Sequence, residues 1–181
     1  ALNTITKTLN TTYWALLDEA GWKKEFGDQR DQVAHFARIP AADIQGVRSP
    51  YFFGVTDAMY NASRKSGLRY DSSIPSLRPE ELYWPYTGDY KSSQTCGSCL
   101  KESHPGFLIS PLLSLTGSNG GLCSTVDSCL DEPKNASQTF DLLYNNFLNH
   151  SQANRAPFGI HANAGWLLNA EAPFVKEGYL Q

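Results

Sequence analysis

The chain has 181 residues, a hydrophobic fraction of 41%, a charged fraction of 18% and a formal charge of −3. That is enough polypeptide for one domain with a core of its own. The weak negative charge excludes the basic surface that nucleic acid or an anionic membrane requires, and no run nears the ~20 apolar residues of a membrane span.

The first residues carry neither Met nor a leader pattern, which fits a mature product or a stretch of something longer. Residues 1–8 read as a strand end and a loop. From Thr12, Tyr13, Leu16, Leu17 and Ala20 fall at helical spacing, with Gly21 as the expected stop. A second helical pattern runs through Gln32, Val33, Phe36 and Ala37 and must end by Pro40. Asp43 to Arg48 reads as a short strand closing on Pro50. A helix over about 55–66 is stopped by Gly67, and Leu68-Arg69-Tyr70 opens another strand. This alternation predicts an α/β fold with a parallel sheet.

From Ile74 to Pro133 Pro, Gly, Ser and Cys dominate, and Gly106 to Ser110 is the strand-like run. A long irregular insertion in a compact domain is usually functional and needs fastening. An amphipathic helix follows, with Phe140, Leu143, Tyr144, Phe147 and Leu148 on one face and Ser137 or Thr139 as cap. Pro157 to Asn163 then reads as a last strand running into Trp166 and Leu167.

Cys96, Cys99, Cys123 and Cys129 all fall in the insertion. An even, clustered set reads as two disulfides with three connectivities open, of which local pairing, Cys96–Cys99 and Cys123–Cys129, is expected. The competing reading is a tetrahedral zinc site, since Cys96-x-x-Cys99 has ligand spacing while the second pair is spaced too widely. Four N-x-S/T sequons, at Asn10, Asn61, Asn135 and Asn149, lie beside these cysteines and predict a secreted, extracellular glycoprotein.

Four ordered blocks carry a resemblance. They are Asp43 to Tyr51 (DIQGVRSPY), Gly67 to Ile74 (GLRYDSSI), Leu82 to Tyr90 (LYWPYTGDY) and Asn154 to Gly159 (NRAPFG), with Ser103-His104-Pro105-Gly106 between. Together they resemble the middle and C-terminal part of chitin deacetylases of the carbohydrate esterase type, as found in arthropods and nematodes. The resemblance implies a distorted (β/α) barrel of the polysaccharide deacetylase type across residues 1–181, incomplete at its N-terminal strands, with 74–133 as a Cys-containing insertion. It also implies removal of acetyl groups from GlcNAc polymers by a divalent metal such as zinc. One Asp and two His would hold that metal, a second Asp would activate water, and a further His would protonate the leaving amine.

The essential positions depart from that pattern. The family's Thr-Phe-Asp-Asp motif would lie before residue 1. Asn3 and Lys7 stand where the resemblance places metal-binding imidazoles, and Asn163 stands where it places the general-acid His. An amide is a poor metal ligand, a charged Lys7 repels a cation, and Asn163 has no proton to give an amine. His161 shares the expected strand face with Asn163, but sits about 7 Å away along it, too far to substitute.

No resident cofactor is therefore expected. Arg48 matches the arginine that orients the catalytic carboxylate and also reads as an ion-pair partner at the barrel mouth. Tyr51 matches the residue whose backbone N–H faces the oxyanion. Trp84, Tyr86 and Trp166 match aromatic positions lining the site, with core packing as the other reading of Trp166. The expectation is an inactive pseudoenzyme that binds a chitin-like glycan or serves an extracellular protein assembly, the fold being completed by other segments or chains. The alternative is an active metal-dependent deacetylase.

Overall fold

The computed structural model describes residues 10–78, 80–94, 100–129 and 133–181, and the backbone of Leu2–Asn3. Lys7, Cys96 and Cys99 lie outside the described residues. The chain divides into two compact units, one of residues 1–74 and 85–111, the other of 75–84 and 112–181.

The first unit is built on a five-stranded sheet ordered β1-β2-β3-β5-β4. β1 (Leu2–Asn3), β2 (Gly46–Arg48), β3 (Tyr70–Asp71) and β5 (His104–Ile109) run parallel, and β4 (Tyr86–Gly88) adds antiparallel to β5. The parallel sheet expected from the strand–helix–strand alternation is thus present. Among the described residues it is open, with β1 and β4 at its edges, so no closed barrel is seen. β4 was not foreseen, because three residues between a Pro-flanked loop and Gly-Asp carry too little periodicity to announce a strand.

The helices feed a core of aromatic rings. α1 (Thr11–Leu16) is capped by Asn10, whose side chain accepts from Thr12 N, and α2 (Glu19–Trp22) by Asp18, which accepts from Gly21 N. Gly21 therefore lies inside a helix rather than ending one; the break falls at Leu17-Asp18, because Asp18 is the better cap. A π-helical turn (Lys23–Asp28) leads into α3 (Gln29–Ala37), which stops at the left-handed Arg38. Trp14, Trp22 and Phe26 are wholly buried, with ring centroids 5.8 and 5.1 Å apart, while Leu16 and Phe36 point outward. α4 (Asp57–Lys65) is capped by Thr56 and buries Met59, Tyr60, Ala62 and Ser63, ending ahead of Gly67 as expected.

The second unit has a smaller core. β6 (Leu115–Thr116) and β7 (Leu122–Cys123) form a two-stranded hairpin, and Pro75 bridges Leu112. Asn146 ties this hairpin to α5 (Ala136–Ala153): its Oδ1 accepts from Thr116 N at 2.8 Å and its Nδ2 donates to Thr116 O at 3.0 Å. Asn135, rather than Ser137 or Thr139, caps α5 by accepting from Gln138 N. The buried residues of α5 are Thr139, Leu142, Leu143 and His150, whereas Tyr144 and Phe147 are half exposed. α7 (Phe174–Leu180) selects that face. Gly178 lies so close to Ala136 and Thr139 that an added Cβ would fall 2.3 Å from Ala136 O, so only glycine permits the approach.

Residues 157–163 are not a strand. Their apolar pattern is extended, but among the described residues no neighbouring strand supplies a ladder; Val126 N donates to His161 O at 2.8 Å. A short α6 (Ala164–Leu167) follows and sets Trp166 into the core with Leu142, Leu143 and Val175.

Candidate functional site

Ligands of parallel α/β sheets gather at the carboxyl ends of the strands, where the backbone turns away and leaves a crevice. In this chain those ends carry Asn3, Arg48 and Asp71. Asn3 pairs with Arg48 in register, and Val47 with Asp71. The half-buried Arg48 is fixed by its neighbour strand: Nε donates to Ser72 O at 2.8 Å and Nη2 to Ser72 Oγ at 3.1 Å. Burial lowers the Arg48 pKa from its usual value, against the opposing charges of Asp71 and Tyr70.

Asp71 is completely buried beneath it. Tyr60 OH donates to the carboxylate at 2.9 Å, Ser73 N donates at 3.1 Å, and Ser73 Oγ donates a further bond. Burial pushes the Asp71 carboxyl up to about 6, although these hydrogen bonds and the Arg48 charge pull the other way. The same burial, with the neighbouring Asp71, drives the Tyr60 phenol well above its ordinary value. A second pair, with His104 buried and Asp57 half-buried, lies at the start of α4. His104 Nε2 is 2.9 Å from Asp57 Oδ1, and the carboxylate also accepts from Lys101 N and Glu102 N. Burial alone would raise Asp57, but these bonds outweigh it and hold the group below the usual carboxylate range.

Immediately after Arg48 the backbone is strained. Tyr51 and Phe52 both adopt left-handed φ, 55° and 56°, a conformation costing bulky residues about 1–3 kcal/mol each. Ser49 Oγ donates to Phe53 O across the turn, and Phe52 N and Phe53 N donate to Ser49 O and Pro50 O. Tyr51 is 39% and Phe53 48% exposed. None of the Asp71, Ser73 and Tyr60 bonding was foreseen, although Asp71 and Ser73 lay within a quoted block. The signal that pointed to it was a lone carboxylate embedded in a buried strand.

The aromatic candidates separate. Trp84 is 56% exposed. Tyr86 sits on β4 with its OH donating to Gln94 Oε1 at 2.8 Å. Trp166 is enclosed in the core of the second unit and offers no open face. In that unit Asn163 precedes α6, and its backbone N donates to Asp127 Oδ1 at 3.0 Å while its Nδ2 donates to the other oxygen. Burial would raise Asp127, but the bonds from Asn163 and from its own loop prevail and keep it below its ordinary value. Because 157–163 is not a strand, the strand-face argument for His161 no longer applies.

Cys123 and Cys129 form a disulfide with Cα atoms 4.9 Å apart, as local pairing required, so these two are not thiolate ligands. Asn10, Asn135 and Asn149 are exposed and Asn61 is half-buried. Among the described residues no three of His, Cys, Asp and Glu converge. Among these described residues there is thus no cluster of imidazoles and a carboxylate that would hold a divalent ion. Among the described residues no helix is long and apolar enough to cross a membrane.

A parallel sheet with an arginine and a buried carboxylate at its strand ends is consistent with a domain of the polysaccharide deacetylase type. The chain is 32% identical to Chitin deacetylase 8 of Bombyx mori over all of its own length and 48% of that protein's. It is 27% identical to Chitin deacetylase 1 of Bombyx mori over 93% of its length and 33% of that protein's. These matches support a chitin deacetylase-like family for the chain, which spans about half or less of the length of these two relatives. No protein-family profile matches it.

Proposed function

We propose that this chain is part of a secreted chitin deacetylase-like glycoprotein that holds a chitin-like glycan without deacetylating it. The observation that carries this reading is Asn163. At the position where the resemblance places a general-acid imidazole there is an amide, and that amide is already committed to Asp127. A carboxamide neither ligates a metal well nor releases a proton near neutral pH. Asn3, at the end of β1 beside Arg48, supports the same conclusion for the metal. In this reading the open sheet belongs to a distorted (β/α) barrel completed by other strands, residues 74–133 form its insertion, and the sequons carry glycans. Arg48 keeps the frame of the former site, and the exposed Trp84 supplies an aromatic face for sugar rings.

The test uses the full-length chain from an oxidising secretory host, presented with the hexamer of N-acetylglucosamine. Binding is expected by calorimetry, and no acetate is expected with or without added zinc. Metal-dependent acetate release would establish the active deacetylase instead. No binding and no turnover would leave a structural role in an extracellular assembly.

A further inference from the structure

An open cleft of about 400 Å³ lies between the π-helical turn, the start of α3 and the end of α4. Its walls carry three cations, Lys23, Arg30 and Lys65, and two carboxylates, Asp28 and Asp31. The connections of the fold fix its place. Arg30 Nε donates to Ile44 O at 3.0 Å, just before β2, and Gly67 in the cleft wall stands just ahead of β3. β2 and β3 are parallel, so the cleft lies toward their amino ends, whereas Arg48 and Asp71 lie at their carboxyl ends. A site here is separate from the crevice described above.

The cations are not spent on the carboxylates. Arg30 is held by backbone: besides Ile44 O it donates from Nη2 to Ala41 O at 2.6 Å, which leaves Nη1 for a ligand. Gly67, at φ 77°, keeps that edge uncrowded, since a Cβ there would lie 3.4 Å from both Nη atoms. Lys23 is exposed and pairs with no carboxylate among the described residues. The Lys65 ammonium reaches Glu19 at 2.6 Å and stays open to solvent. Ser66 also lines the cleft, and its hydroxyl, packed against Gly27, meets no partner, an unfavourable state for a buried donor. The last carbonyls of α4 are already answered, by Ser66 N on Ala62 O and Gly67 N on Arg64 O, so they do not turn a bare negative edge toward the cleft.

A fixed guanidinium and two ammonium groups around one hollow offer donors from several directions. That suits the free oxygens of a tetrahedral ester better than the two oxygens of a planar carboxylate. Asp28 and Asp31 cannot serve the anion; they accept hydrogen bonds, and a polyhydroxylated ligand supplies the donors. We propose that the cleft binds a sulfate or phosphate ester of a sugar, its ester oxygens on Arg30 Nη1 and Lys23 and its hydroxyls on Asp28 and Asp31. The volume is that of a small-ligand site, about 300–1,000 Å³. The ligand is charged and sits at the other end of the sheet, so this site is independent of any chitin-like glycan held at the strand carboxyl ends.

The experiment is a calorimetric titration of the full chain at low salt with glucose 6-sulfate and glucose 6-phosphate. Glucose, inorganic sulfate and inorganic phosphate are the controls. Each ester should bind about tenfold more tightly than its inorganic anion, because the hydroxyl bonds add to the charge-assisted ones, and glucose alone should not bind. The tighter ester tells which source the site takes. Lys23→Gln should weaken ester binding about fivefold, one charge-assisted bond being lost, with the melting temperature unchanged because Lys23 is exposed. Asp28→Ala with Asp31→Ala should weaken the esters and strengthen the inorganic anions, since it removes hydroxyl acceptors and like charges together. Esters no tighter than inorganic anions, or an alanine pair that strengthens both alike, would reduce the cleft to a patch attracting any anion and overturn the proposal. Unchanged ester affinity in Lys23→Gln, or no ester binding by the wild-type chain, would overturn it as well. None of these results bears on binding of the N-acetylglucosamine hexamer.

Discussion

The two units of this chain solve the problem of a small core in different ways. The sheet unit fills its interior with large rings, Trp14, Trp22, Tyr60, Phe26 and Phe107, and holds ionisable groups in bonded pairs, Asp71 with Tyr60 and Ser73, and His104 with Asp57. Among the described residues of the helical unit, Trp166 is the one buried Phe, Tyr or Trp, with Phe158 and Phe174 partly buried against its core. This unit relies on cross-links: the Cys123–Cys129 disulfide, the Asn146 bonds to β6, and the Asp127–Asn163 pair. A unit that buries enough apolar area can carry a strained turn and a buried carboxylate. A unit with less core needs covalent help.

The largest expected effect breaks the first solution. Trp22→Ala removes a fully buried ring stacked between Trp14 and Phe26 and should cost about 3–5 kcal/mol. The measurement is the urea midpoint, with hydrogen exchange accelerated across α1–α3. A loss below 1 kcal/mol would mean that the aromatic core is not what holds this unit.

The buried carboxylate gives the second. Its folded pKa, about 6, lies above the ordinary value of 3.8, so the folded state binds the extra proton between these values. This group's contribution to stability is present in full below about pH 4 and is lost as pH rises through 6. The ~2-unit rise corresponds to about 2–3 kcal/mol. Asp71→Asn should flatten the stability–pH curve between pH 4 and 7. Asp57 and Asp127, held below their ordinary values, act in the opposite direction and at lower pH: their stabilisation is present above about pH 4 and is lost as pH falls through their folded values. An unchanged slope in the Asn variant would remove Asp71 from the account.

The helical unit is tested by Cys123→Ser with Cys129→Ser. The six-residue separation closes a short loop, worth about 2 kcal/mol in the chain-entropy account, and the loss should appear as earlier unfolding of α5 and α7. No change would show that Asn146 and Asp127 suffice. The smallest effect belongs to the surface: Lys65 and Glu19 pair at 2.6 Å, but both are open to solvent. Lys65→Ala should shift stability by less than about 0.5 kcal/mol, and 0.5 M salt should erase the difference.

Some of this was written plainly in the chain. Gly67 after a helical stretch over about 55–66 gave α4 its end, and the alternation of short strands with helices gave the parallel sheet. The four ordered blocks gave the family. The same local reasoning misjudged Gly21, because it weighed a glycine as a stop without weighing Asp18 as a start. Of the face it chose on α5, Leu143 is buried, but Tyr144 and Phe147 are half exposed.

Sequence by itself thus determined composition, element types and the identities at Asn3, Lys7 and Asn163, since those are fixed by the chain and need no partner. Only the tertiary structure decided which face of α5 is inside, because Gly178 on α7 must meet Ala136 and Thr139. It decided that 157–163 is no strand, because a strand exists only where another supplies its hydrogen bonds. It also joined Ser49 to Ser73, 24 residues on, and so linked the local contacts at Asp71 and Phe53; periodicity cannot encode that long-range bond.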